Sequence, residues 1–310
     1  MLLDYDRIDP ELVGALEQMP ALDITRDNVS DVRAVLASRP KPPTSVQVLE
    51  ERSVIATDDY EVPVIIYRKT DSTNQPALLW IHGGGYILGN ADDERARIIA
   101  HELDCTVVSV EYRLAPEHPF PAGPNDCIAA LNWMVANSEQ LKIDPSRIAV
   151  GGASAGGGMA AGVALMNRDN GGPNLVLQLL LYPMIDNLHA TDSGQIENHP
   201  IWNQGTSFNA WEMYLDGIPE EAASPYAAAS RAADLSGLPP TYLCVGSEDL
   251  FRDEDIEYAR RLFADSVPCE ITVFPGLYHG GDMFVPGAGV SQRLQKSFLA
   301  SLSDAFREKG

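Results

Sequence analysis

From Ala77 onward, short and solidly apolar runs alternate with longer amphipathic stretches, and this alternation leaves few folds open. The apolar runs are Ala77 to Ile81, Thr106 to Val110, Arg147 to Val150, Val176 to Leu181, Thr241 to Val245 and Glu270 to Phe274. Their length and their content of Val, Ile and Leu mark them as strands. Between them, Arg95 to Leu103, Asn125 to Ser138, Ala155 to Arg168 and Asp253 to Asp265 read as helices, and Ser291 to Arg307 closes the chain as another. A strand that is apolar on both faces must be covered on both, and crossover helices do that. The chain is therefore predicted to be α/β, a mostly parallel sheet flanked by helices.

The flanking segments depart from this rhythm. Two further strand-like runs, Val46 to Ala56 and Glu61 to Arg68, are separated by the turn signal Thr57-Asp58-Asp59. Ahead of them, Leu12, Leu16 and Met19, and then Val32, Val35 and Leu36, fall at helical spacing, until Arg39-Pro40-Lys41-Pro42-Pro43 ends the pattern. The stretch from Asn187 to Pro225, rich in Asn, Gln, Trp and Ser, reads as an excursion out of the sheet. Residues 1–45 and 187–225 are expected to form a lid over the carboxyl ends of the strands, with 46–186 and 226–310 as the sheet-bearing core.

Charge removes several functions. The 310 residues carry 22 basic and 44 acidic side chains, a net charge of −22, which repels phosphate backbones and anionic lipid heads. No apolar run approaches a bilayer span, and Met1-Leu2-Leu3-Asp4-Tyr5-Asp6 lacks the basic start and apolar stretch of a signal peptide. Cys105, Cys127, Cys244 and Cys269 show no metal or redox spacing, and are expected to be free buried thiols in a reducing cytoplasm.

The strongest chemical signal is Gly152-Ala153-Ser154-Ala155-Gly156, directly after Ile148-Ala149-Val150 and before an Ala- and Gly-rich helix. A nucleophile elbow puts serine on a strained strand-to-helix turn, and it needs small residues two before and two after so that the backbones can pass closely. A phosphate-binding loop is the rival, but no Lys-Ser/Thr pair follows. Next comes His82-Gly83-Gly84-Gly85 at the end of Leu78-Leu79-Trp80-Ile81. Consecutive glycines can turn their N–H groups toward one point, where the oxyanion of an attacked carbonyl would sit beside the N–H of Ala155.

A serine nucleophile also needs an acid and a base, in the chain order Ser, Asp/Glu, His. After Ser154 the histidines are His189, His199 and His279. The first two lie in the polar excursion, where exposed or capping roles are expected. His279 follows Ile271-Thr272-Val273-Phe274 and Pro275-Gly276, in a loop at a strand's carboxyl end. Position favours Asp249 as the acid, just past Tyr242-Leu243-Cys244-Val245. Asp253 stands where a helix begins, and Glu248 remains a rival. Tyr112-Arg113-Leu114-Ala115-Pro116-Glu117 reads on its own as an ordinary solvated loop; the alternative is a charged loop that braces the site, with Arg113 and Glu117 as ion partners.

These motifs stand in the order and spacing of the hormone-sensitive-lipase-like carboxylesterases, the bacterial family IV branch of the α/β-hydrolase superfamily. The chain resembles that family over about residues 45–305. The resemblance implies Ser154 as nucleophile, Asp249 as acid, His279 as base, and Gly84, Gly85 and Ala155 as oxyanion donors. It also implies a helical cap, no metal or organic cofactor, and in many members a homodimer joined through an edge of the sheet. The chain departs from the family pattern in three places. Ala153 stands where Asp is usual and Leu250 where Pro is usual. His279-Gly280-Gly281 replaces His-Gly-Phe, which predicts a looser site wall.

The expected reaction is acyl transfer through a covalent acyl-enzyme; the resemblance implies small esters of short to medium acyl chain, acetyl to hexanoyl, as substrates. An amidase or deacetylase of a specialised small molecule is the alternative, and a small-molecule receptor is a third reading, disfavoured by the presence of His279. In the excursion, Trp202, Phe208, Trp211 and Tyr214 fit either a pocket of mixed polarity or the cap's own small core.

Overall fold

A computed structural model of the protein describes residues 2–19, 23–39, 44–57 and 60–307. Most of the proline cluster and the Asp58-Asp59 part of the first turn lie outside the described residues. The sheet has eight strands: β1 (Leu49–Ala56), β2 (Glu61–Arg68), β3 (Gln75–Ile81), β4 (Thr106–Val110), β5 (Ile143–Ala153), β6 (Gln178–Leu181), β7 (Thr241–Gly246) and β8 (Cys269–Phe274). They lie in the order β1-β2-β4-β3-β5-β6-β7-β8. Pairing is antiparallel for β1 with β2 and for β2 with β4, and parallel throughout the rest.

The core is where the sequence places it. Leu78 to Ile81, Leu179 to Leu181 and Tyr242 to Val245 are buried, as are Val107 and Val108. β5 starts earlier than the apolar run at Arg147, because Ile143 pairs with Gln75 across a register shift and the polar Asp144-Pro145-Ser146 is drawn into the strand. The crossover helices are α3 (Glu94–Leu103), α4 (Ala122–Ala136), α5 (Ala155–Asp169) and α7 (Arg252–Ala264), and α9 (Gly289–Phe306) closes the chain. The short α8 (Gly281–Phe284) follows β8. Among the described residues, no helix is long and apolar enough to cross a membrane.

The amino-terminal segment that carries α1 (Pro10–Glu17) and α2 (Val29–Ser38) meets, through residues outside those helices, the excursion that contains α6 (Gln204–Leu215). The Leu3 amide donates to Asn198 Oδ1 at 2.7 Å, Asn209 Nδ2 donates to the Ile24 carbonyl at 2.9 Å, and Arg26 pairs with Asp216 at 2.8 Å. Leu12 and Leu16 are buried as expected. On α2, however, Val35 and Leu36 are exposed and Val29 is the buried residue, so the apolar stripe lies one turn earlier than the spacing predicts. Cys105, Cys127 and Cys244 are buried free thiols, whereas Cys269, at the start of the edge strand β8, is only half-buried.

Candidate active site

Ser154 occupies the turn between β5 and α5 with φ 57° and ψ −125°, a strained backbone for a residue with a side chain. Its neighbours explain how the turn closes. A Cβ on Gly156 would overlap the carbonyl oxygen of Ile81, and one on Gly152 would overlap the Gly156 carbonyl. The turn is pinned by the Ser154 amide, which donates to Leu181 O at 2.9 Å, and by the Met184 amide, which donates to Ser154 O at 2.9 Å.

The glycine loop after β3 lies against this turn. A Cβ on Gly83 would stand 2.8 Å from the Ala153 carbonyl oxygen. Gly84 and Gly85 have φ +118° and +63°, and the Leu88 amide closes the loop by donating to Gly84 O at 2.8 Å. Among the described residues, the amides of Gly84 and Gly85 make no backbone hydrogen bond, and that of Ala155, first in its helix, has no intrahelical acceptor. Among the described residues, three backbone donors of the loop and the turn are thus without a backbone acceptor. Tyr112 braces the loop: its hydroxyl donates to the His82 carbonyl at 3.0 Å and its ring stacks on His82 at 4.3 Å. The Ala115 amide adds a bond to Tyr86 O at 3.1 Å. The pair of Arg113 with Glu117 does not form. Arg113 chelates the fully buried Asp126, and Glu117 receives two hydrogen bonds from Arg33 of α2.

His279, in the loop after β8, joins the other candidates. Its Nε2 lies 2.9 Å from Ser154 Oγ and its Nδ1 lies 2.9 Å from Asp249 Oδ2. Asp249 is fully buried, and its Oδ1 accepts from the Phe251 amide at 3.0 Å. That bond turns Oδ2 toward the ring, and a carboxylate there assigns the proton to Nδ1, leaving the Nε2 lone pair for the serine hydroxyl. Tyr182 and Phe251 grip the imidazole edge-on, with ring centroids 5.0 and 4.9 Å away.

The rival acids are engaged elsewhere. Asp253 lies in the first turn of α7 and accepts from Arg252 and from the Ser193 amide, tying the excursion to the core. Glu248 pairs with Arg7. Of the other histidines, neither is exposed: His189 and His199 are both fully buried. His199 caps no helix: its Nδ1 accepts from the amides of Ile201 and Trp202 in the bend before α6, whose N-cap is Asn203. Burial, and then the nearby His279, hold its pKa down at about 3. Burial holds that of His189 at about 4. The apolar setting that buries these rings comes from remote elements, such as Phe251 beside His189 and Tyr278 beside His199, so nearby sequence does not reveal it.

Of the cap aromatics, Trp202, Trp211 and Tyr214 are buried, in keeping with a core role. Trp202 rests its indole on Gly85 so closely that a Cβ there would overlap it, and Trp211 and Tyr214 pack on Tyr86. Phe208 instead packs on His189, within the cap.

An eight-stranded, mostly parallel sheet with a serine on a strand-to-helix turn, a histidine after its last strand and an aspartate between them defines an α/β hydrolase. The chain belongs to the hormone-sensitive-lipase-like family of that superfamily, and the family model for the α/β-hydrolase fold matches residues 78–283. It is similar to carboxylesterase NlhH of Mycobacterium tuberculosis, with 40% identity over 281 residues and 88% of each chain covered. Esterase LipI of the same organism is 36% identical over 298 residues, covering 91% of this chain and 89% of LipI. Among solved structures, a bacterial heroin esterase superposes with a TM-score of 0.90 at 39% identity, covering 98% of this chain and 99% of that one.

Proposed function

We propose that the protein is a serine carboxylesterase that cleaves short- to medium-chain acyl esters through a covalent acyl-enzyme, with Ser154 as nucleophile, His279 as base and Asp249 as acid. Its general class, carboxylic ester hydrolase, follows from its family and its esterase relatives. The assignment of roles rests on one observation, the continuous line Ser154 Oγ, His279 Nε2, His279 Nδ1 and Asp249 Oδ2, with 2.9 Å at each junction.

In the first half-reaction His279 Nε2 takes the Ser154 proton as Oγ attacks the ester carbonyl. The negative oxygen that develops is held by the amides of Gly84, Gly85 and Ala155. His279 then protonates the departing alkoxide, leaving an acyl group on Ser154. Water repeats the cycle and releases the acid. These steps need no metal or organic cofactor. Residues 1–45 and 187–225 act as the cap and 46–186 with 226–310 as the core, and the Trp202 indole on Gly85 restricts the space available to an acyl chain. The reading extends to a cytoplasmic enzyme, in keeping with its free thiols, and to a homodimer joined at a sheet edge.

The test is hydrolysis of p-nitrophenyl esters of increasing acyl length by the wild type and by Ser154→Ala. Turnover should be highest between acetyl and hexanoyl and fall about 10⁶-fold in the variant, the size of loss typical when a serine nucleophile is removed. A folded wild type inactive at every length, or a variant that keeps its activity, would overturn the proposal.

A further inference from the structure

Three side chains behind His279, far apart in the chain and in none of the motifs, close a buried ring of hydrogen bonds. Arg95 of α3 donates through Nη2 to the Tyr182 hydroxyl at 2.7 Å and to Asp282 Oδ2 at 2.5 Å. The Tyr182 hydroxyl, accepting from Arg95, donates its own proton to Asp282 Oδ1 at 3.0 Å. Both Nη2 bonds and the hydroxyl bond end on acceptors within the ring, and all three residues are buried. The guanidinium and the carboxylate also neutralise one another, as buried charges must.

Two features tie this ring to the histidine. The Tyr182 side chain is fixed at its hydroxyl by Arg95 and Asp282, and the edge-on contact of its ring with His279 is at 5.0 Å. Its backbone has φ +36°, unusual for a residue with a bulky side chain, and its amide is held to Cys244 O at 2.6 Å. Asp282 lies three positions beyond the histidine. In the intervening Gly280-Gly281 there are no side chains to anchor the loop, Gly280 has φ +69°, and Met283 and Phe284 of α8 point to solvent. Asp282 is thus the side chain of the 280–284 segment that is buried and bonded to the fold. The segment after His279-Gly280-Gly281, where a looser wall is expected, is tied down one residue later to α3, a helix that packs on β2 and β4.

We propose that Arg95, Tyr182 and Asp282 form a positioning unit for His279, holding the imidazole both through the Tyr182 ring and through the loop that carries it. The proposal rests on the reading of His279 as the base in ester hydrolysis. An ion pair this deep is a costly way merely to fill space, since apolar side chains of similar volume usually serve stability as well or better. What it supplies is fixed direction, because the planar guanidinium, the carboxylate and the phenol hydroxyl constrain one another's orientation. A displacement of the order of 1 Å in a catalytic group lowers turnover by up to about 10²-fold.

The experiment separates direction from stability. The double variant Arg95→Met/Asp282→Leu replaces the ion pair by apolar volume, and Tyr182→Phe removes only the hydroxyl. Each is compared with wild type for melting temperature, kcat and KM on p-nitrophenyl butyrate, and rate of Ser154 labelling by a fluorophosphonate. The double variant should melt within a few degrees of wild type, yet lose about 30-fold in kcat and in labelling rate, with KM within about twofold. Tyr182→Phe should lose about fivefold in kcat with the same KM pattern, and it decides the matter alone if the double variant does not fold. Wild-type kcat in a stable double variant or in Tyr182→Phe would overturn the positioning role, as would a rise in KM equal to the fall in kcat. A wild type that neither turns over the ester nor labels at Ser154 would overturn the underlying reading of His279, a result distinct from variants that match an active wild type.

Discussion

Ser154 and His279 meet at 2.9 Å but are held there by opposite means. The serine is held by backbone: a strained turn, glycines on either side whose missing Cβ atoms let the chains cross, and hydrogen bonds from main-chain groups to main-chain groups. The histidine sits in a glycine-rich loop and is held by side chains of other elements, with Asp249 at one nitrogen, Tyr182 and Phe251 in edge-on ring contact, and Arg95 and Asp282 behind. In its proposed role as nucleophile, Ser154 must lie beside amide donors that are themselves backbone, so rigid backbone positions it best. In its proposed role as base, His279 must pass a proton from one group to another, and side-chain contacts orient its ring without occupying Nε2.

On this contrast, the largest loss on the histidine side comes from neutralising its partner. Asp249→Asn should lower kcat about 10⁴-fold by favouring the wrong imidazole tautomer, with the fold intact by circular dichroism. Asp253→Asn should keep most of kcat and cost about 1 kcal/mol in denaturant unfolding through its bond to the Ser193 amide. The reverse ranking would move the acid to Asp253. On the serine side, Gly84→Ala should lower kcat about 10²- to 10³-fold, because its φ of +118° disfavours a side chain and a Cβ would strike the carbonyl of Leu88, the residue whose amide closes the donor loop. Unchanged turnover there would show that these amides do not carry oxyanion charge.

The smallest effect concerns pH and stability. His189 is buried between Phe208 and Phe251, with neither ring nitrogen hydrogen-bonded among the described residues, and its pKa is lowered to about 4. In the unfolded chain it titrates near 6.5. Its neutral form therefore supports the fold above about pH 6.5, and that support is lost as pH falls toward 4, at about 1.4 kcal/mol per pH unit. His189→Phe should flatten the fall in unfolding free energy between pH 6 and 4 by about that slope, measured by urea titration. An unchanged slope would mean the ring is not held neutral.

The same contrast separates the features that are legible in the amino-acid sequence from those that are not. Strand and helix order follows local periodicity, and the elbow follows local glycine content, so Gly152 to Gly156 and His82 to Gly85 stand out along the chain. Tertiary partners leave no such mark. Arg113 and Glu117, neighbours in sequence, invite a pairing that Asp126 and Arg33 take instead, one from α4 and one from α2. Arg95 and Asp282 are 187 positions apart, and nothing near either residue announces the other. Polar composition around His189 and His199 implies exposure, but the aromatic residues that enclose them come partly from other segments.

The most direct measurement is to quench the enzyme in acid during p-nitrophenyl acetate turnover, digest it and weigh the peptides. The account predicts one added acetyl group on the peptide that contains Ser154, and none on any peptide of Ser154→Ala. An acetyl group on a different residue, or steady turnover by Ser154→Ala, would contradict it.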